Sequence, residues 1–279
     1  MTGPGNQVLA PRSLCVCADD FGMSPGINAA IVELAHEDRI SATGCMVKRS
    51  AWGAGLKALR HFSPLAMDTG LHLDFSDPLP GHASDRRLTG LIARSYLGRL
   101  DRAQVLREIR DQFARFEDGL GRAPAFVDGH QHVHQLPTVR DVLLEEMAQR
   151  YRGALPWLRN TAPPSGLGSG NLKASLIFAL GGARLLNRAA HYGIRTSRGL
   201  LGVYDFSGSA QDYRRRLERW VDECRTGDVL MCHPSIGDAG AADPISAARR
   251  NEYAVLRAFD FPRRTPHGVV QLVPFSRTA

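Results

Sequence analysis

Apolar positions along this chain switch repeatedly between strand-like runs and helical spacing. Residues 13–18 (SLCVCA) form a short continuous apolar run, the pattern of a buried strand. Ser24-Pro25 then supplies an N-cap and a first-turn proline. Ile27, Ala30, Ile31, Leu34 and Ala35 follow at helical spacing, so one apolar stripe faces a sheet. Residues 40–47 and 66–73 predict two more buried strands, with a helix over 52–61 between them. Val105, Leu106, Ile109, Phe113 and Phe116 predict an amphipathic helix over 101–117, ended by Gly119 and Gly121. A strand over 125–129 precedes a helix over 138–149, opened by a Thr138/Asp141 capping box. Next come a strand over 155–160, a helix opened by a Ser209/Asp212 capping box, a strand over 228–233 and a closing strand over 268–275. Strands alternating with helices along the whole length predict a parallel sheet, and seven or eight such units predict a closed or nearly closed α/β barrel. The Pro/Gly/Ser-rich residues 161–171 read as a loop bordering the active end.

Length and composition narrow the picture without changing it. A single α/β domain accounts for the 279 residues, with residues 1–12 polar, Gly/Pro-rich and flexible. The net charge of +7 comes from arginines dispersed over many helices, including Arg214, Arg215, Arg216, Arg249 and Arg250, which read as solvated faces. No aromatic-plus-basic repeat or nucleic-acid-reading motif accompanies them, which argues against a nucleic-acid partner. Five cysteines, an odd number without a paired framework, point to a reducing compartment, with the cytoplasm the default. No apolar leader is visible at the start. The most apolar stretch, 174–182, is shorter than the roughly 20 residues a membrane span needs. A homo-oligomer remains open.

The polar interruptions of the apolar runs carry the chemistry. Asp19 and Asp20 end the first strand, where barrel loops gather; two carboxylates there need a metal, partners or a turn. In Asp128-Gly-His130-Gln-His132-Val-His134, the period of an extended strand would put all four polar side chains on one face. His72 ends the third predicted strand, and His233 a late one, on the same rim. One carboxylate, two histidines and an open position match the three-ligand pattern of catalytic zinc. Cys232 is set aside as a nucleophile because strand neighbours point to opposite faces.

Ala18-Asp-Asp-Phe-Gly22, Gly70-Leu-His72-Leu73, the Asp128–His134 motif and His233-Pro234 together resemble the YdjC-like carbohydrate deacetylase family, over nearly the whole chain. The resemblance implies a barrel like that of polysaccharide deacetylases and one divalent metal ion, Mg2+ or Zn2+, on Asp20, His72 and His130. It also implies Asp19 as general base, His233 as general acid, and Arg159 beside the catalytic aspartate. The expected substrate is a small N-acetylated sugar, contacted by His132, His134, Arg159 and Trp157, with Phe75 a second candidate for stacking on the ring. Gly129 stands where the family often carries Ser. Two rivals are an amidohydrolase-type metal hydrolase, which usually places its His-x-His on the first strand, and a sugar-binding protein without turnover.

Overall fold

The computed structural model describes residues 10–75, 88–164, 172–237 and 243–278. Residues 1–9 of the expected flexible start and 165–171 of the expected loop lie outside them. The chain order is β1 (Arg12–Phe21), α1 (Pro25–His36), β2 (Ala42–Cys45), α2 (Trp52–His61), β3 (Asp68–Leu73), α3 (Leu88–Tyr96), α4 (Arg102–Leu120) and β4 (Phe126–Gly129). A 3-10 segment (His130–Gln135) leads to α5 (Val139–Arg150), β5 (Trp157–Leu158), α6 (Leu172–Ala179), α7 (Gly182–His191), β6 (Leu200–Leu201) and α8 (Ala210–Glu223). β7 (Val229–Cys232), α9 (Ser246–Arg257), β8 (Arg263–Thr265) and β9 (Gly268–Leu272) complete it. Among the described residues no helix is long and apolar enough to cross a membrane.

β1 to β7 run parallel in the order β5-β4-β3-β2-β1-β7-β6. The ends of this row meet: Leu158 of β5 bridges Thr196, just before β6, with Leu158 N donating to Arg195 O and Ser197 N to Leu158 O. The barrel is thereby joined without the expected closing strand. β9 instead pairs antiparallel with β8 and runs beside only Arg12–Leu14 of β1, where that strand projects below its neighbours.

Local chemistry explains the helix starts. The Ser24 side chain accepts from Ile27 N, Asp101 accepts from Ala103 N and Gln104 N, and Ser209 with Asp212 forms the reciprocal capping box. The Thr138/Asp141 pair does not. Thr138 has φ 62° and makes no side-chain cap, while Asp141 pairs with Arg140. The chain arrives at α5 from a tight turn, so the threonine lacks the extended backbone a cap requires.

Strand alternation sorts the side chains into two layers. Leu14, Val16, Ala18, Leu230 and Cys232 pack under the helices. Cys15, Cys17, Ala42, Phe126, Trp157 and Val229 fill the lumen together with Phe275. The same inward register carries Asp19, His72, Asp128 and Arg159 at the strands' C-terminal ends. Two glycines make room for them. A Cβ on Gly44 would lie 3.1 Å from His72 Nδ1, and one on Gly70 would sit 2.4 Å from the Phe126 ring.

Candidate active site

The mouth of the barrel begins with a kink in β1. Its pairing with β2 shifts register between Ala18 and Phe21, and Asp20 takes φ 71°. A regular strand would aim Asp19 and Asp20 to opposite faces. The bulge turns Asp20 so that both carboxylates serve one site. Three of the other non-glycine residues with positive φ also border the mouth: Gln131 and His132, in the turn after β4, and Phe206, which packs against His233. Backbone strain of this kind concentrates where a structure is built for function.

Asp20 Oδ1 lies 3.0 Å from His130 Nδ1 and 3.5 Å from His72 Nε2. The donor atoms of these three residues all fall within 4.8 Å of one another, a group able to hold a metal ion. His72 Nδ1 faces Asp128 Oδ1 at 2.7 Å, so that nitrogen carries the proton and Nε2 is left to face Asp20. A carboxylate behind a ligating histidine is the usual support for a metal site. Burial pushes the His72 imidazole down, but Asp128, Asp19 and Asp20 outweigh it and raise it to about 9. The surroundings thus call for positive charge at this ring, which a cation would supply. The fit is consistent: two nitrogens, one oxygen and a supporting carboxylate. His130, with 21% of its side chain exposed, opens the cluster to solvent, whereas Asp20 is 1% exposed.

Asp19 is held from behind. Arg159 donates from Nη1 to Oδ2 and from Nη2 to Oδ1, both at 2.6 Å, and its Nη2 lies 2.8 Å from Asp128 Oδ2. Burial pushes the Asp19 carboxyl up, but Arg159 and His72 hold it well below the usual carboxylate range. His233 Nε2 is 3.9 Å from Asp19 Oδ2. Its Nδ1 is buried without a hydrogen-bond partner, so no backbone carbonyl anchors the ring; Phe206 packs edge-on against it. Burial lowers the His233 pKa to about 4 despite the pull of both aspartates, so the ring is neutral near pH 7.

Sequence reasoning missed two supports on α9. Arg249, expected on a solvated face, is 2% exposed; its Nη2 donates to Asp20 Oδ2 at 2.7 Å and its Nε to Asp243 at 2.6 Å. Glu252 is fully buried and accepts from His233 N and the Tyr204 hydroxyl. Burial raises its pKa to about 7. The available signal was spacing alone, since Arg249 and Glu252 share a helix face three residues apart.

The extended face expected for Asp128, His130, His132 and His134 does not exist. β4 ends at Gly129, and left-handed Gln131 and His132 fold the chain into a turn. The four side chains therefore separate. Asp128 goes to His72 and Arg159, His130 to Asp20, and His134 away from the mouth, its Nε2 donating to Arg159 O at 3.0 Å. Three of the four expected substrate contacts are also displaced. His134 and Arg159 are fully buried, and Trp157 is stacked between Phe126 and Phe275 with its Nε1 donating to Asp68 at the far end of the lumen. Phe75 is likewise in the core. His132 stays half-buried at the rim.

Comparison with known proteins gives the family and the fold of the chain. The chain is 33% identical over 174 residues to a carbohydrate deacetylase of Mus musculus, covering 53% of this chain and 55% of the relative. It is 28% identical over 231 residues to a chitooligosaccharide deacetylase of Klebsiella pneumoniae (strain 342), covering 81% and 83%. The chain spans about half the length of the mouse and human relatives it matches. Its fold is that of a candidate cellobiose-phosphate cleavage protein from Enterococcus faecalis V583, with TM-score 0.61 and 20% identity, covering 89% of this chain and 91% of the other. The model of the family "YdjC-like protein" matches residues 13–264, a span that holds the Asp19-Asp20 turn, His72, the His130 turn and His233. The chain belongs to the YdjC-like family.

Proposed function

We propose that this protein is a metal-dependent hydrolase that removes the N-acetyl group from an N-acetylglucosamine-containing oligosaccharide. The observation that carries this reading is the convergence of Asp20, His72 and His130 on one side-chain cluster beside Asp19. The sugar deacetylase activity of the mouse and Klebsiella relatives supports the substrate class. Two imidazoles and one carboxylate favour Zn2+ over Mg2+, which prefers oxygen donors. A divalent ion on these residues supplies a Lewis acid for the acetyl carbonyl and a lowered pKa for water.

The chain's own groups then handle one proton. Asp19 accepts it from the attacking water. Its pairing with Arg159 fixes the carboxylate while making it a weak base, so the proton is not retained there. His233, neutral at rest and 3.9 Å from Asp19, takes that proton over and delivers it to the departing nitrogen, because an amine leaves poorly as an anion; the ring ends neutral again. Acetate and a free amino sugar result. Arg159, His134 and Trp157 act behind the site, and His132 is the histidine left to meet the sugar. Five buried thiols without a disulfide support a reducing compartment, the cytoplasm.

The test is acetate release from N,N′-diacetylchitobiose by Zn2+-loaded protein, with ion content measured for the wild type, His72→Ala and His130→Ala. Acetate is released and both variants lose the ion. Full ion content in both folded variants sinks the assignment.

A further inference from the structure

Arg249 makes a contact that a solvent-facing helix residue has no reason to make. Its Nη2 donates to Asp20 Oδ2 at 2.7 Å, while Asp20 Oδ1 faces His72 and His130. Its Nε is held by Asp243 at 2.6 Å, and Ser235 N donates to its backbone carbonyl at 3.3 Å. The guanidinium and the carboxylate are 2% and 1% exposed, so water screens the pair little. We infer that Arg249 is a positioning residue that reserves one oxygen of Asp20 for the ion and serves as its standing counter-charge, keeping the site assembled without metal at the expense of metal affinity. This rests on Asp20, His72 and His130 being the ion site.

Electrostatics fixes the sign. A buried carboxylate with no partner is costly, and removing one member of a buried pair leaves the other charge uncompensated. Arg249 therefore stabilises the ion-free protein. The same positive charge, one carboxylate away from the ion, repels it. Removing the guanidinium should weaken the ion-free fold and tighten ion binding. A purely structural arginine, whose loss loosens the neighbourhood, would weaken both.

The experiment compares wild type, Arg249→Gln and Arg249→Lys by calorimetric titration with Zn2+ and by thermal midpoint with and without it. Arg249→Gln is expected to lower the midpoint of the ion-free protein, to show a larger Zn2+-induced rise than wild type, and to bind Zn2+ about tenfold more tightly, the scale of losing one nearby charge in a partly buried site. Arg249→Lys retains the charge and should bind Zn2+ within about threefold of wild type. Equal or weaker binding by a folded Arg249→Gln overturns the inference. If that variant does not fold alone, the inference requires that Zn2+ restore the fold and a chelator remove it; a variant unfolded in both conditions contradicts it. Failure of wild type itself to bind Zn2+, or binding unchanged by His72→Ala, would instead remove the metal-site reading.

Discussion

The two ends of the barrel lumen are built by the same strands and differ in everything else. At the floor, Cys15, Phe126, Trp157 and Val229 close the barrel with an apolar plug, the Phe126 and Trp157 rings stacking 4.4 Å apart and Phe275 against them. Two residues further along the same strands, the inward positions hold Asp128 and Arg159, with Asp19 and His72 beside them. One pleat repeat separates a hydrophobic plug from a cluster of charge. The floor is stabilised by area removed from water, which is insensitive to exact partners. The mouth survives burial only because each charge has an assigned opposite: Arg159 for Asp19 and Asp128, Arg249 for Asp20. Stability at the floor is thus distributed, whereas at the mouth it is conditional on individual residues.

Removing one charge at the mouth is the most severe way to test that contrast. Arg159→Met leaves Asp19 and Asp128 without their shared cation. It should cost about 3–5 kcal/mol, the range for breaking a buried pair, and abolish measurable turnover. Trp157→Ala should cost about 3 kcal/mol by opening a cavity at the floor. Folded Trp157→Ala protein should keep Zn2+ affinity and KM within about twofold of wild type. Denaturant unfolding with Zn2+ titration reads both variants, and a large change in ion affinity in Trp157→Ala would break the separation of floor from mouth.

His233→Ala sharpens the contrast within the mouth itself. His233 is outside the Asp20, His72 and His130 cluster proposed to hold the ion and has no partner at Nδ1, so its loss should spare ion content and thermal midpoint. Turnover should fall by about a hundredfold, the usual scale of acid–base catalysis. An anilide, which needs less help in leaving, should recover part of that loss. An equal defect on both substrates, with a lowered midpoint, would make the residue structural.

The smallest effect concerns pH. Burial lowers the His134 pKa to about 4 from the ordinary 6.5. With the folded value depressed, the unfolded chain takes up protons first as acid is added. The contribution is therefore fully present above pH 6.5 and is lost as pH falls from 6.5 toward 4. His134→Asn should flatten the slope of stability against pH in that window; an unchanged slope would place the acid sensitivity elsewhere.

Legibility in the sequence divides along the same line. The helix over 52–61 has the bounds of α2, and the Ser209/Asp212 capping box is present, because both signals act within a few residues. Asp19, Asp20, His72, His130 and His233 could be brought to one end by counting strand ends, since parallel strands place their C-termini together. Which way each side chain points after the strand stops is set by turns. For that reason the single face drawn through His130, His132 and His134 dissolved at Gly129. Asp20 reaches the site through a bulge that no periodicity announces. Arg249 carries the same letters as a surface arginine; only the packing of α9 against the mouth brings it to Asp20. Trp157 opens β5 and Arg159 directly follows it with the same inward direction, yet a two-residue offset puts one in the plug and the other behind Asp19.

The most direct measurement is mass spectrometry of N,N′-diacetylchitobiose incubated with Zn2+-loaded protein, chelated protein, and chelated protein to which Zn2+ is returned. The expected result is loss of acetyl with the sugar linkage intact, absent after chelation and restored by the ion. Cleavage of the linkage, activity indifferent to chelation, or an unchanged substrate with fully loaded protein would contradict it.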